Sequence, residues 1–186
     1  MRRAGARIMG LGLPLVLLAG CTREEPRRAS IPQPRAPSPQ AIPDTIAPAS
    51  AATPAAYVAS ASSIELFEIL SSELALQRAR TKRVREFAEM ILSIHKGASM
   101  QLSLAGRRLN LLPSASLSPT HQALLNQLRA APDFDSVYRR QQVAVHQDAL
   151  RIHSNYAALG ASPTLRPVAQ SLVPVFRRYL RLLRYL

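Results

Sequence analysis

TKRVREFAEMILSIHKGASMQLSLAGRRL, residues 81–109, decides the fold. Its apolar side chains Val84, Phe87, Ala88, Ile91, Ala98, Leu102, Ala105 and Leu109 fall at helical intervals of three and four, and His95 stands in the one longer gap, between Ile91 and Ala98. That spacing makes one face of an amphipathic helix, and Thr81 supplies a hydroxyl to cap it. Upstream, Thr53-Pro54 predicts the start of a first helix reaching about Arg80, because the N–H that proline lacks is not needed in a first turn. Downstream, Pro113 and Ser118-Pro119 mark a loop and a short helix over 119–130. Pro132-Asp133 opens a third long helix that Gly160 ends as a left-handed cap. Ser162-Pro163 starts the fourth, which runs almost to Leu186, with Pro174 facing outward and kinking it. Four long helices with short connections predict an all-α, up-down four-helix bundle over residues 54–186, with an extra short helix between helices 2 and 3.

Helical wheels place several polar residues inward. Glu65 lies between Ala61 and Ile69 on the first helix, on the side of Val58 and Leu76. His95 sits near the centre of the second stripe. On the third helix Tyr138, Val145, Ile152 and Tyr156 define the core, with His146 and His153 at its edge. Leu165, Val168, Leu172, Phe176, Tyr179, Leu183 and Leu186 make the fourth stripe. Buried polar groups need partners. Glu65, His95, Tyr138, His146 and Tyr179 therefore form either a mutual hydrogen-bonded cluster with no cofactor or a site for a metal ion or small ligand. Glu65, His95 and His146 would make a mononuclear nitrogen/oxygen ligand set. A di-iron centre is not expected, because the chain contains no Glu-x-x-His. His121 and His153 are expected to be exposed or structural.

The N-terminus reads as an address. Arg2, Arg3 and Arg7 precede an apolar run from Ile8 to Leu18, shorter than the roughly 20 residues that span a bilayer. The run ends in Leu18-Ala19-Gly20-Cys21, which resembles the lipobox of bacterial lipoproteins, and Cys21 is the chain's only cysteine. Residues 1–20 are thus expected to be a signal peptide and Cys21 a lipidated anchor, since two or more acyl chains hold stably at about 0.8 kcal/mol per methylene. Thr22 follows where aspartate would signal inner-membrane retention, so the expected location is the periplasmic side of the outer membrane. Residues 22–55 hold eight of the fifteen prolines. With so few apolar residues, the stretch 21–53 is expected to be a disordered tether about 35 Å long as a coil and roughly 100 Å extended.

Composition narrows the function classes. The net charge is +13, from 24 Lys+Arg against 11 Asp+Glu. Arg166, Arg177, Arg181 and Arg184 share one side of the last helix, opposite its core stripe. Clustered guanidiniums suit phosphate or carboxylate partners. An exported protein has little access to nucleic acid, so anionic lipid, lipopolysaccharide or cell-wall polymer is the expected partner of such a face, the alternative being an ordinary solvated one. One cysteine excludes a disulfide framework and a multi-thiolate zinc site. No nucleophile elbow or phosphate-cradling glycine loop occurs, so no enzymatic activity is expected.

These residues resemble the family known as domain of unknown function 4142, whose members are exported, ferritin-like helical bundles. The resemblance spans residues 57–183. It rests on Glu65; on Val84, Phe87, Ala88 and Met90 with His95; on Phe134-Asp135-x-x-Tyr138 with Gln141 and His146; and on Leu172-Val173-Pro174. Members usually carry aspartate directly before the second-helix histidine, where this chain has Ile94, and histidine five residues after the fourth-helix proline, where it has Tyr179. The resemblance implies fold and export but no activity. The expected function is an envelope lipoprotein whose bundle is a non-catalytic binding or interaction module. The alternatives are metal or small-ligand binding in the core, and binding of anionic envelope polymers through the arginine face.

Overall fold

Side-chain caps set where the helices begin. In the computed structural model, which describes residues 53–186, Thr53 accepts from the Ala56 N–H at 3.3 Å and starts α1 (Pro54–Arg78). The predicted signal segment, Cys21 and nearly all of the tether lie outside the described residues. Thr81 accepts from Val84 at 3.4 Å at the head of α2 (Lys82–Arg107). Ser118 accepts from His121 at 3.2 Å before α3 (Pro119–Ala130), and Asp133 from Ser136 at 3.4 Å before α4 (Phe134–Leu159). Each cap satisfies one of the donors a first turn leaves free.

Two boundaries differ from expectation. The last long helix, α5, runs Arg166–Leu182, and a 3₁₀ turn, Leu183–Tyr185, follows it. Ser162 does not cap α5. Its hydroxyl accepts from Thr164 and Leu165 at 3.2 and 3.4 Å, holding a separate turn that delays the helix to Arg166. Gly160 is not a left-handed cap: its φ is −62° and its ψ 137°. It is needed for space, because a Cβ there would lie 2.5 Å from the Tyr156 ring and carbonyl oxygen. The left-handed residue is Asn110, at φ 54°, where the chain turns after α2 and the Leu111 N–H returns to the Gly106 carbonyl at 2.9 Å.

The four long helices form the up-down bundle. α1 packs on α2, α3 and α4; α4 packs on α5; and α5 closes against α2. Residues 61–65 of α1 are buried consecutively, so this helix is covered on several sides rather than along one stripe. Its hydroxyls hold the connection between α2 and α3. Ser62 accepts from the Ser114 N–H at 3.2 Å, and Ser63 accepts from the Ser118 N–H at 2.8 Å. The Asp135 carboxylate reaches across from α4 and accepts from the N–H groups of Arg80 and Thr81 at 3.0 and 2.9 Å, fixing the turn between α1 and α2. Among the described residues no helix is long and apolar enough to cross a membrane.

The apolar core falls into two clusters stacked along the bundle. One holds Ala61, Phe67, Ala98, Leu102, Val145, Ala149 and Phe176. The other holds Ala75, Phe87, Ile91, Tyr138 and Tyr179. Sequence order places the join between them at one level on every long helix: near Glu68 on α1, between Ile91 and Ala98 on α2, between Tyr138 and Val145–Ala149 on α4, and between Phe176 and Tyr179 on α5.

Candidate metal centre

At this join the core becomes polar. Glu65 and Glu68 project from α1, His95 from α2 and His146 from α4, and no more than 1% of any of them is exposed. Glu65 and Glu68 are three residues apart, so they share one helix face. His95 and His146 come from helices on either side of α1, and their rings meet edge to face with centroids 5.9 Å apart.

Each imidazole is held through Nδ1. His95 Nδ1 donates to Glu65 Oε2 at 2.8 Å, and His146 Nδ1 donates to the Gln142 carbonyl at 2.9 Å. His146 Nδ1 also lies 3.4 Å from Glu68 Oε1, but its proton is given to the Gln142 carbonyl and does not satisfy that oxygen. Both Nε2 atoms, both Glu68 oxygens and Glu65 Oε1 are buried without a hydrogen-bond partner. Glu68, His95 and His146 each offer a ligand atom such that the three lie within 4.8 Å of one another. Nδ1 anchored by a carboxylate or carbonyl, with Nε2 left over, is how metal-binding histidines are usually oriented.

Electrostatics follow from burial. Removal from water pushes the Glu68 carboxyl up to about 7, against the pull of His95. The same burial drives His146 down to about 3, helped by the charge of His95. His95 moves the other way: burial opposes its charge, but Glu65 and then Glu68 outweigh that and raise its pKa. The trio therefore offers a neutral imidazole, a second imidazole tied to a carboxylate, and an acid that loses its proton near neutrality.

α5 closes the layer with rings. Phe176 packs against His95, His146 and His153 at centroid distances of 5.7, 5.5 and 5.0 Å. Tyr179 lies 5.6 Å from His146 and 6.5 Å from His95. Of the two departures from the family pattern, only Tyr179 touches this layer, since Ile94 points outward and is 40% exposed.

The structure groups the candidate ligands differently from expectation. Glu65 is buried as predicted, but its Oε2 is occupied by His95, and Glu68 joins the two histidines in its place. Glu68 was missed although its spacing from Glu65 placed it on the same face. Tyr138 is buried one layer away, its hydroxyl 3.2 Å from that of Ser72. His146 and His153 are not at the core edge; both are fully buried. The Tyr57 hydroxyl and His153 Nδ1 share a hydrogen bond at 2.9 Å, and burial holds that imidazole neutral, down to about 3. His121 is buried as well, with its Nδ1 2.6 Å from Ser63 Oγ. Arg166, Arg177, Arg181 and Arg184 are all exposed.

Solved structures with this fold come from different contexts. CopM "in the Cu(II)-bound form" matches with a TM-score of 0.62 at 17% identity, over 72% of this chain and 94% of that one. CopM "in the Ag-bound form (by co-crystallization)" matches with a TM-score of 0.60 at 16% identity, over 72% and 93%. A DUF305 fragment from Deinococcus radiodurans matches with a TM-score of 0.61 at 19% identity, over 69% and 90%. At these identities the likeness is one of fold. No curated protein sequence matches significantly. The family model described as domain of unknown function (DUF4142) matches residues 39–186, so the chain belongs to that family.

Proposed function

We propose that the bundle binds one divalent transition-metal ion through Glu68, His95 and His146, with Glu65 and the Gln142 carbonyl orienting the two imidazoles. One observation carries this reading: three ligand-bearing side chains converge in the buried core while their remaining donor and acceptor atoms lack well-formed partners. An unsatisfied buried polar atom costs about 1–3 kcal/mol, more if charged, so a layer of several is hard to explain as structure alone. A two-nitrogen, one-oxygen set suits Cu(II) and Zn(II), with Cu(II) the tighter by the usual order of divalent affinities. That CopM, a protein of similar fold, is named as Cu(II)-bound supports the metal class. The module is non-catalytic in this reading. It is carried at the cell envelope by the acyl anchor that the sequence around Cys21 predicts.

The test is calorimetric titration of the purified, metal-stripped protein with Zn(II) and Cu(II), alongside elemental analysis. One equivalent is expected. Glu68→Gln and His146→Gln should each remove it, and Glu65→Gln should weaken it about 10–100-fold by freeing the His95 ring. No stoichiometric binding, or binding unchanged in Glu68→Gln, would leave the layer a structural hydrogen-bond cluster.

A further inference from the structure

Away from the metal layer, the start of α2 and the end of α5 enclose a surface groove of about 730 Å³. Its apolar lining comes from Phe87, Met90, Leu182 and Leu186, and two guanidiniums, Arg83 and Arg178, line it too. Neither arginine forms an ion pair among the described residues. The one side-chain carboxylate in the lining, Glu86, is engaged by Lys82 at 3.3 Å. The groove thus combines a hydrocarbon surface with uncompensated positive charge, at a size typical of small-molecule sites.

We propose that this groove binds a single medium-chain fatty acid, its carboxylate held by Arg83 and Arg178 and its chain lying along Phe87, Met90, Leu182 and Leu186. Each alternative class leaves half of the lining unused. A metal cation is repelled by the guanidiniums, so the groove is not a second metal site. A small hydrophilic anion gains nothing from the apolar side chains, and a neutral hydrocarbon nothing from the charges. Guanidinium pairs carboxylates through two parallel hydrogen bonds, which fixes the polar end and leaves the chain to the apolar surface. The inference uses none of the proposed metal ligands.

Laurate, decanoate and dodecanol are the probes, titrated by calorimetry into the purified protein below their aggregation concentrations. The Met90 methyl resonance reports occupancy of the groove. One laurate per chain is expected, with a shift of that resonance and about two- to fourfold tighter binding for each methylene added. Arg83→Gln/Arg178→Gln should cost laurate at least tenfold and leave dodecanol unchanged. Both side chains are exposed, so thermal melting should not move. Met90→Glu, with both arginines intact, should also abolish laurate binding. Unchanged laurate affinity in the double variant would overturn the proposal. So would a loss seen only in Arg177→Gln/Arg181→Gln, or non-saturable adsorption to anionic phospholipid vesicles without a 1:1 laurate complex, which would assign the charge to general surface attraction. A dimer that occupies the groove and excludes laurate would overturn it as well.

Discussion

Replacing Glu68 by glutamine should stabilise the metal-free protein while removing the proposed metal site. The Glu68 carboxyl is held up to about 7 against an ordinary value of 4.5, chiefly by burial. Between those two values the folded chain keeps a proton that the unfolded chain has released, so stability falls as pH rises through this window. The loss is complete above pH 7 and absent below about 4.5. At 1.36 kcal/mol per pH unit, a displacement from 4.5 to about 7 amounts to about 3 kcal/mol. Glutamine has no proton to lose. The stability gap between variant and parent should therefore open from near zero at pH 4.5 to about 3 kcal/mol at pH 8, or roughly 10 °C in melting temperature for a domain of this size. Urea denaturation with chelator present, at half-unit steps from pH 5 to 8, measures this directly. Added Zn(II) should reverse the order once it is in large excess, because an ion at about 1,000 times its Kd stabilises the parent by about 4 kcal/mol and the variant not at all. A variant less stable than the parent at pH 8 would refute the reasoning, since the carboxylate would then be satisfied within the protein and have no need of a metal.

Three further outcomes follow from the same geometry. In the metal-free protein, burial keeps His121, His146 and His153 neutral down to about 4, 3 and 3, while the unfolded chain protonates them below 6.5. The three histidines alone would make stability drop below pH 6.5 by about 4 kcal/mol per pH unit; the proton that folded Glu68 retains offsets one of them, leaving a slope of about 2.5–3 kcal/mol per unit, and His153→Gln should remove about one proton from it in denaturation curves. Asp135→Ala strips the acceptor from two N–H groups between α1 and α2 and should cost about 1–2 kcal/mol in a denaturant midpoint. Those hydrogen bonds outweigh desolvation and hold the Asp135 carboxyl below its usual range, so its contribution should fade as pH falls through that lowered value. Gly160→Ala drives a methyl into Tyr156 and should lower the melting temperature, by more than Gly97→Ala, where the added methyl meets nothing within 4 Å.

The helices were legible because their signals are local. Thr53, Thr81, Ser118 and Asp133 cap through bonds to residues three positions on, a relation that sequence spacing contains. Ser162 shows the limit, since the same chemistry closed a turn instead of a helix and only the chain after it decides which. The inward direction of Glu65 and His95 was legible from periodicity. That Glu68 rather than Glu65 groups with the two histidines was not, because the decision lies in a pairing across helices: Glu65 is taken by His95, thirty residues away. For His121 and His153 the choice between an exposed and a structural role was not legible for the same reason. Their partners, Ser63 and Tyr57, sit on α1, and a wheel of one helix does not show that a neighbour offers a hydroxyl at the right height. Asp135 carries no helical-face signal either, because its two acceptors' worth of bonding goes to the backbone of a distant turn.

The layout of the polar layer also limits what it can hold. Both carboxylates come from α1, one imidazole from α2 and one from α4, while α5 supplies Phe176 and Tyr179 against the same rings. A dinuclear centre draws carboxylates and histidines from all four helices of a bundle. Here the fourth helix gives aromatic walls and brings no further carboxylate or imidazole. Three ligands with Glu65 nearby match one ion, completed either by Glu65 Oε1, which is buried and unpartnered, or by a water. The two cases separate by exchange behaviour. A four-ligand closed site should release its ion slowly to chelator in the parent and much faster in Glu65→Gln, whereas a site completed by water should lose affinity in that variant only as far as the His95 ring becomes free to turn.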